Sequence, residues 1–265
     1  MLIIGERLNT SRKQAAEAAE KFAATFIKAE AEAQLQAGAH FLDVNAGTFA
    51  EREMEYLLWM AKTLRAEVDA PLCIDSSDPV VIREALRICG KGMMVNSISA
   101  EKDTYAAVLP LIKEHECKVV ALCMGDGGIP TEFENKLEIG CELVETLLRD
   151  GIAADDIYID PLIMAVSTAQ DGGVVALRMI QEVRNRYPGV HAVCGLSNIS
   201  FGLPERRLLN RIFLVAAMSA GLDAVILDPL DKQMMASLIA AKTVLGRDEY
   251  CSQYLAAFRA HKLEQ

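Results

Sequence analysis

Polar side chains recur in this chain where short apolar segments end. Taken in order, these ends carry Glu6, Asp43 with Asn45, Asp75, Asn96, Met124, Asp160, Asn198 and Asp228. Neighbouring positions are spaced by roughly 30 residues, about one strand–helix unit each. A lone acid at such a place is often only a helix cap or a turn residue. A whole series of acids and carboxamides instead predicts a ring of hydrogen-bonding groups around one cavity.

Such a ring suits a neutral, planar heterocycle that carries several N–H donors. A pterin has this chemistry, because its 2-amino group and N3–H pair with a carboxylate through two parallel hydrogen bonds, as a guanidinium does. A carboxamide offers both a donor and an acceptor to the remaining polar edge of the ring. The residue types and their spacing leave other polar heterocycles open.

Several other chemistries lack their residues at these ends. Lys91 and Lys118 stand where apolar segments start, which disfavours Schiff-base chemistry. The histidines also lie at segment starts or on predicted helices, so we expect neither a histidine-bound metal nor a catalytic triad. An all-oxygen Mg²⁺ site built from the acids is an open alternative, although no protein-bound metal is expected. The four histidines are His40, His115, His191 and His261.

The elements that must position these groups are eight short apolar segments. They are rich in Val, Ile, Leu or Met and lack strict alternation, which is typical of strands buried on both faces of a parallel sheet. The predicted strands are Leu2–Gly5, Phe41–Asn45, Pro71–Asp75, Gly92–Ser97, Val119–Met124, Ile157–Pro161, Val190–Asn198 and Ala224–Pro229.

Long amphipathic stretches between these segments predict helices. Pro79–Cys89 has the clearest limits, since Asp78 is a good N-cap before a proline and Gly90 follows the end. The charged run Glu132–Glu138 is interpreted as a solvated helix face. The predicted helices are Ala15–Ala37, Glu51–Val68, Pro79–Cys89, Tyr105–His115, Thr131–Arg149, Val174–Tyr187, Pro204–Ala220, Lys232–Leu245 and Asp248–Ala260.

Eight strand–helix units predict one α/β domain over residues 1–265, a (β/α)8 TIM barrel, a fold of about 250 residues. A doubly wound open sheet is the structural alternative, but its glycine-rich GxGxxG turn is absent from the sequence. In a TIM barrel the chemistry lies at the carboxyl ends of the strands, where the polar series falls.

The composition excludes several classes of protein. A hydrophobic content of 52% excludes a disordered chain. A formal net charge of −10 disfavours nucleic acids and anionic membrane surfaces as partners. The sequence shows neither a signal peptide nor a membrane span. Seven cysteines without a CxxC motif fit a reducing compartment, so we expect a cytoplasmic protein.

Seven motifs carry a resemblance to a known family. They resemble the methyltetrahydrofolate:corrinoid-protein methyltransferases of the pterin-binding barrel superfamily, relatives of dihydropteroate synthase and of the folate module of cobalamin-dependent methionine synthase. The similarity covers essentially the whole chain, and its most specific part is the sixth motif. The motifs are GERLN at Gly5–Asn9, FLDVNAG at Phe41–Gly47, CIDSS at Cys73–Ser77, VNSIS at Val95–Ser99, YIDPL at Tyr158–Leu162, GLSNISFGLPERRLLNRIFL at Gly195–Leu214 and AGLDAVILDPLD at Ala220–Asp231.

The resemblance implies roles for four of the polar residues. Asp75, Asn96 and Asp160 match pterin contacts of the family, and Asp160 is expected at the 2-amino/N3 edge. Asn198 matches the asparagine that hydrogen-bonds N5 of the folate, the atom that carries the methyl group. The expected catalytic residues are Asn198 and Asp75.

Five further residues are expected around the same pterin. Gly195 and Ser197 line the strand end where the backbone must approach the ring. Glu6, Asp43 and Asn45 match secondary positions of the family that lie near the pocket. All five are therefore predicted folate-binding residues.

The activity implied by the resemblance is transfer of the N5 methyl group between methyltetrahydrofolate and the cobalt of a corrinoid protein. No cobalamin-binding module is recognisable, so cobalamin is expected on a partner protein, and the direction of transfer stays open. Phe201 stands where some relatives carry a polar residue, which leaves the identity of the corrinoid protein open. Arg206 and Arg207 either hold the folate glutamate tail or bridge to acidic neighbours, and the second is favoured. A homodimer is the expected assembly.

Two rival functions are weighed beside this one. A dihydropteroate synthase-like enzyme handles a pyrophosphate leaving group and needs basic residues near the first strands. Arg7, Arg12 and Lys13 are present there, but the GLSN–SFGLP stretch fits that activity poorly. The other rival is a folate-binding subunit without transfer activity, against which an intact Asn198 argues.

Overall fold

One sheet of parallel strands forms the centre of the molecule. The computed structural model describes residues 1–68 and 70–263, so Asp69, Glu264 and Gln265 of the predicted domain lie outside the described residues. The strands are β1 (Leu2–Asn9), β2 (Phe41–Asn45), β3 (Leu72–Asp75), β4 (Met94–Ser99), β5 (Lys118–Leu122), β6 (Ile157–Asp160), β7 (His191–Ala192) and β8 (Ala224–Leu227). Their order in the sheet is β7-β6-β5-β4-β3-β2-β1-β8.

The two ends of the sheet meet and close a barrel. The Ile226 N–H donates to the Cys194 carbonyl at 3.0 Å, and Gly195 pairs with Ile226 in a parallel bridge. This closure confirms the predicted (β/α)8 TIM barrel. The seventh strand is much shorter than the predicted Val190–Asn198, because a 3₁₀ helix over Leu196–Ser200 occupies its second half.

Helices cover the outside of the barrel. None of those formed by residues 1–68 and 70–263 is long and apolar enough to cross a membrane. They are α1 (Lys13–Glu20), α2 (Ala24–Gln36), α3 (Glu53–Glu67), α4 (Pro79–Cys89), α5 (Lys102–His115), α6 (Phe133–Arg149), α7 (Gly172–Arg186), α8 (Arg206–Ala220), α9 (Lys232–Val244) and α10 (Ser252–Arg259).

The predicted helix Ala15–Ala37 is wrong, because the structure forms two helices there with a break at Phe22. Phe22 has a left-handed φ of 50°, which no helix interior accommodates. Its ring packs 5.7 Å from Tyr56 and 5.2 Å from Trp59, measured between ring centroids. The break therefore follows from packing on α3 rather than from a local sequence signal.

Inside the barrel, side chains change from apolar to polar towards the carboxyl ends of the strands. A small interior core fills the barrel, whereas the larger core lies between the sheet and the helices. Because side chains alternate across a strand, a position two residues beyond an interior apolar residue also faces inward. The interior pairs, apolar first, are Phe41 and Asp43, Cys73 and Asp75, Met94 and Asn96, and Tyr158 and Asp160.

Candidate active site

A cavity of about 710 Å³ opens at the carboxyl ends of the strands. Eight of the nine predicted site residues line it, and Asn45 is the one that does not. The strand-end groups therefore converge on one cavity, apart from Asn45 and Met124 of the predicted series. The lining residues from that prediction are Glu6, Asp43, Asp75, Asn96, Asp160, Gly195, Ser197 and Asn198.

Strand register brings four polar residues to one level at the mouth. Asn9 pairs with Asn45, Asn45 with Asp75, and Asp75 with Asn96 across neighbouring strands. The Asn45 amide donates to the Asp75 carbonyl at 3.3 Å, and its Oδ1 accepts the Gly47 N–H at 3.0 Å. Asn45 therefore fixes the ends of β2 and β3 rather than forming the cavity wall.

Asp43 lies one layer below the mouth and is almost fully buried. Its side chain is 1% exposed, and its Oδ1 atom has no hydrogen-bond partner among the described residues. Burial raises the pKa of Asp43 well above its usual range, and the nearby Asp75 and Glu6 carboxyls raise it further. The Asp43 carboxyl group is therefore held towards its neutral, protonated form.

Asp75 and Glu6 are acids whose charge is also made costly by the site. Burial raises the pKa of Asp75 to about 6, against a hydrogen bond from Asn45 that lowers it. Burial likewise raises the pKa of Glu6, and the Arg12 guanidinium opposes this. Despite these acids, the described residues contain no group of three or more His, Cys, Asp or Glu side chains arranged to hold a metal ion.

Asp160 is a buried carboxylate with one oxygen held by the backbone. Its Oδ1 accepts the Leu162 N–H at 2.7 Å, in a turn directly after β6. Burial raises the pKa of Asp160 to about 6, while the Leu162 N–H and the Lys136 ammonium lower it. Near neutral pH this carboxylate is therefore mostly ionised and still has an oxygen for a ligand.

Asn96 and Asn198 supply uncharged amides. Within the described part of the chain, neither side-chain amide forms a hydrogen bond to another protein group, so both are available to a ligand. Asn198 lies on the 3₁₀ helix after β7 instead of on the strand itself. A Cβ atom at Gly195 would lie 3.2 Å from the Asn198 Nδ2 atom, so the glycine leaves room for this amide.

Arg206 holds the 3₁₀ helix that carries Asn198. Its guanidinium donates to the Ser197 carbonyl at 2.7 Å and to the Ser200 Oγ atom at 3.1 Å. Arg207 is different, because its side chain is 85% exposed. Its Nε atom lies 3.9 Å from a carboxylate oxygen of Asp231. Arg206 thus holds a carbonyl and a hydroxyl instead of the acidic neighbour that the sequence analysis favours, whereas Arg207 does lie beside an acidic residue.

Other cavity residues escaped the sequence analysis or were left undecided there. Asp228 lines the wall and accepts hydrogen bonds from Arg7 at 2.8 Å and Arg12 at 3.1 Å. Asn9 could have been found, because it ends the GERLN motif on a strand that runs further than predicted. The lining residues without an assigned role in the sequence analysis are Asn9, Ser11, Arg12, Leu196, Asn210, Ile226, Leu227, Asp231 and Met234.

Comparison with known protein families identifies the family to which this chain belongs. The model of the family described as "Pterin binding enzyme" matches residues 5–228. The chain belongs to the pterin-binding enzyme family. The matched segment includes every predicted site residue, and the resemblance predicted from the motifs is confirmed.

Individual relatives within the pterin-binding family refine this result. The chain is 38% identical over 265 residues to methylcorrinoid:tetrahydrofolate methyltransferase from Eubacterium limosum, covering 99% of this chain and 98% of that protein. It is 30% identical over 240 residues to methionine synthase from Mycobacterium tuberculosis, covering 85% of this chain but only 20% of that longer protein.

Solved structures show the same fold. Dihydropteroate synthase from Xanthomonas albilineans in complex with 7,8-dihydropteroate superposes with a TM-score of 0.66, over 94% of this chain and 92% of that one. The sequence identity is 20%, so this similarity shows the fold alone.

Proposed function

We propose that this protein is a methyltransferase that moves a methyl group between N5 of tetrahydrofolate and the cobalt of a corrinoid. The observation that carries the proposal is the meeting of Asp75, Asn96, Asp160 and Asn198 at one barrel mouth. The full-length similarity to a methylcorrinoid:tetrahydrofolate methyltransferase supports it. That relative's name also leads us to propose the methylcorrinoid as donor and tetrahydrofolate as acceptor.

In this proposal the pterin ring lies against the acid and amide residues of the cavity. The Asp160 carboxylate takes the 2-amino and N3–H edge, which matches its two oxygens as a guanidinium would. Asn96 serves the remaining polar edge, because an amide both donates and accepts. The Asn198 amide hydrogen-bonds N5 and, being uncharged, serves that atom both before and after it gains the methyl group.

The chemistry needs a polar site rather than a nucleophilic side chain. In transfer to folate, N5 supplies the electron pair for the new N–CH₃ bond, the cobalt–carbon pair stays with cobalt as Co(I), and the N5 proton leaves. In the reverse direction Co(I) attacks the methyl carbon and N5 retains the pair and takes up a proton. Residues that stabilise charge developing at N5 accelerate both directions.

Methyl transfer to free cob(I)alamin tests this function. Purified protein is mixed with methyltetrahydrofolate and cob(I)alamin, and the conversion of Co(I) to methyl–Co(III) is followed by absorbance. Transfer from cobalt to folate is measured with methylcobalamin and tetrahydrofolate. We expect rapid conversion that depends on the protein. Folate binding without conversion would favour the non-catalytic subunit, and release of pyrophosphate from an activated pterin would favour a dihydropteroate synthase-like activity.

The corrinoid and the compartment are parts of the same proposal. Cobalamin is taken to arrive on a separate corrinoid protein that docks at the open cavity. All seven cysteines are free thiols, six of them buried, which supports a reducing compartment and hence the cytoplasm.

A homodimer is also proposed, and α8 offers a surface for it. Leu208, Ile212 and Val215 recur along one stripe of this helix and are 53%, 64% and 40% exposed. A second copy of the chain would cover this stripe from the outside of the barrel, away from the polar groups inside it. The stripe therefore supports assembly without blocking the site.

A further inference from the structure

Lys136 is a buried lysine close to the site that the chemistry above does not use. It is 1% exposed, although Glu134 and Glu138 beside it on α6 and Glu132 just before the helix are all exposed. The interpretation of this charged run as a solvated face is therefore wrong at Lys136. Because a lysine is almost never fully buried unless it is paired, this position calls for a partner.

A short chain of hydrogen bonds links Lys136 to Asp160. The Lys136 ammonium donates to the Leu162 carbonyl at 3.0 Å, and the Leu162 N–H donates to Asp160 Oδ1 at 2.7 Å. Leu162 has a left-handed φ of 50°, a conformation that a residue with a Cβ keeps only where its surroundings impose it. Lys136 and Asp160 therefore bond the two successive peptide groups of Leu162, Lys136 through the carbonyl and Asp160 through the N–H.

The other titratable groups around this pair are thiols. Cys123 faces both Lys136 and Asp160, and Cys194 faces Asp160. Burial raises the pKa of both thiols, so they stay neutral. Among the described residues whose charges act on Asp160, Lys136 is therefore the cation.

We propose that Lys136 is a positioning residue for the folate-binding carboxylate. It fixes the carbonyl of Leu162, the residue whose N–H orients Asp160, and its positive charge keeps Asp160 ionised for the pterin. This inference rests on the proposed function, since it takes Asp160 as the contact of the 2-amino/N3 edge.

The test combines two readouts on Lys136→Met and Lys136→Gln. Carbon-13 NMR of unliganded protein follows the titration of the Asp160 carboxyl, assigned with Asp160→Asn, and calorimetry follows methyltetrahydrofolate binding from pH 6 to pH 8.5. We expect the Asp160 midpoint to rise by about one pH unit in both variants. In Lys136→Gln, whose amide can still donate to the Leu162 carbonyl, folate affinity should fall about fivefold at pH 6 and less than twofold at pH 8.5, because the protonated fraction of Asp160 changes. Lys136→Met also loses the bond to Leu162 and should bind folate more weakly than Lys136→Gln at both pH values.

Lys113→Met is the matched control, since this exposed lysine also donates to a backbone carbonyl, that of Asp150 at 2.9 Å. It removes the same charge and should change neither readout. An unchanged Asp160 midpoint in both Lys136 variants, or a loss of affinity in Lys136→Gln that is equal at every pH, would overturn the proposal.

Two further results distinguish failure of the Lys136 proposal from misfolding of the variants and from failure of the proposed function. If both Lys136 variants fail to fold, the Lys136 ammonium resonance is followed in Asp160→Asn, and an unchanged resonance contradicts the coupling. If the unmodified protein binds no folate while the midpoint still moves, the coupling stands and the proposed function fails.

Discussion

The Asn198 amide is an exposed, uncharged group on the lip of the cavity, next to the glycine that leaves room for it. In the proposed reaction, its hydrogen bond to N5 strengthens as charge develops on that atom. An interaction that strengthens only in the transition state raises turnover rather than substrate affinity. Asn198 therefore differs from Asp160, whose contact with the pterin is equally strong in the bound ground state and in the transition state.

We predict that Asn198→Ala lowers the rate of methyl transfer by about 10²–10³ and the folate affinity by much less. Single-turnover absorbance of the cobalt and calorimetric folate titration give the two numbers. Asn185→Ala, at an exposed asparagine on α7, serves as the control and should change neither. Unchanged transfer in Asn198→Ala would remove the assigned role.

The buried acids of the site should lower the free energy of unfolding of the unliganded protein when they are ionised. Burial raises the pKa of Asp75 to about 6, so its stabilising contribution is complete below its unfolded pKa and is lost as pH rises through about 6. We therefore predict that Asp75→Asn stabilises the unliganded protein at pH 8 by roughly 1–3 kcal/mol. The gain should largely vanish at pH 4.

Urea unfolding at the two pH values measures this difference in free energy. Asp171→Asn, at an exposed aspartate before α7, removes one charge without changing a buried group and should show no such pH dependence. A destabilised Asp75→Asn at pH 8 would mean that the carboxylate is held by interactions stronger than its desolvation.

The sequence could identify the residues that end strands, because a polar residue after a buried strand reports its own position at the barrel mouth. Asp75 and Asp160 are of this kind. It could not identify Lys136 as a buried residue, because three exposed glutamates lie close to that lysine along the chain and make the whole run look solvated. Nor could it decide the role of Arg206, whose partners are a carbonyl and a hydroxyl rather than charged neighbours.

At the scale of elements, the 3₁₀ helix Leu196–Ser200 is the segment on which the reaction depends. It replaces the second half of a predicted strand, and Arg206 bonds two of its residues from the first turn of α8. Movement of Asn198 by even 1 Å would weaken its bond to N5, because catalysis requires closely fixed geometry.

We predict that Arg206→Met lowers the turnover number for methyl transfer by at least about tenfold. Steady-state kinetics, with folate affinity measured separately, checks this prediction. Arg87→Met on the exposed side of α4 is the control for loss of a guanidinium. If Arg206→Met kept full turnover, the 3₁₀ helix would hold its shape without that arginine.

Elements with strong local signals were predictable, and those shaped by packing were not. The bounds Pro79–Cys89 of α4 are as predicted, since the Asp78 carboxylate accepts the Val80 N–H at 2.8 Å and Gly90 ends the helix with φ 83°. The break at Phe22 and the short β7 have no comparable local signal. The break at Phe22 accompanies contacts with Tyr56 and Trp59, which are distant in the sequence.

At the scale of the whole molecule, the barrel separates stability from chemistry. Its apolar interior and outer core support strands whose carboxyl ends bear costly, partly unsatisfied polar groups. The amino end is instead satisfied, as where His191 bonds Asp223 at 2.8 Å and Asp155 at 3.0 Å. Because the rest of the barrel supplies the stability, the residues at the mouth can serve ligand binding.

We predict that Ile212→Lys converts the proposed dimer into monomers, because a charge in an apolar interface is costly to desolvate. Sedimentation velocity at micromolar concentration measures the mass. Ile129→Lys, at a position 47% exposed outside α8, is the control and should remain dimeric. A monomeric unmodified protein would exclude the dimer, and a dimeric Ile212→Lys would exclude this surface.

Calorimetric titration with 5-methyltetrahydrofolate at pH 7.5 tests the central claim most directly, because every proposed step requires the mouth of the barrel to hold a reduced folate. We predict a single site in the unmodified protein and a loss of affinity of roughly 10- to 150-fold in Asp160→Ala, the range expected for a hydrogen bond to a charged group. Absence of binding to the unmodified protein, or equal affinity in Asp160→Ala, would contradict the account.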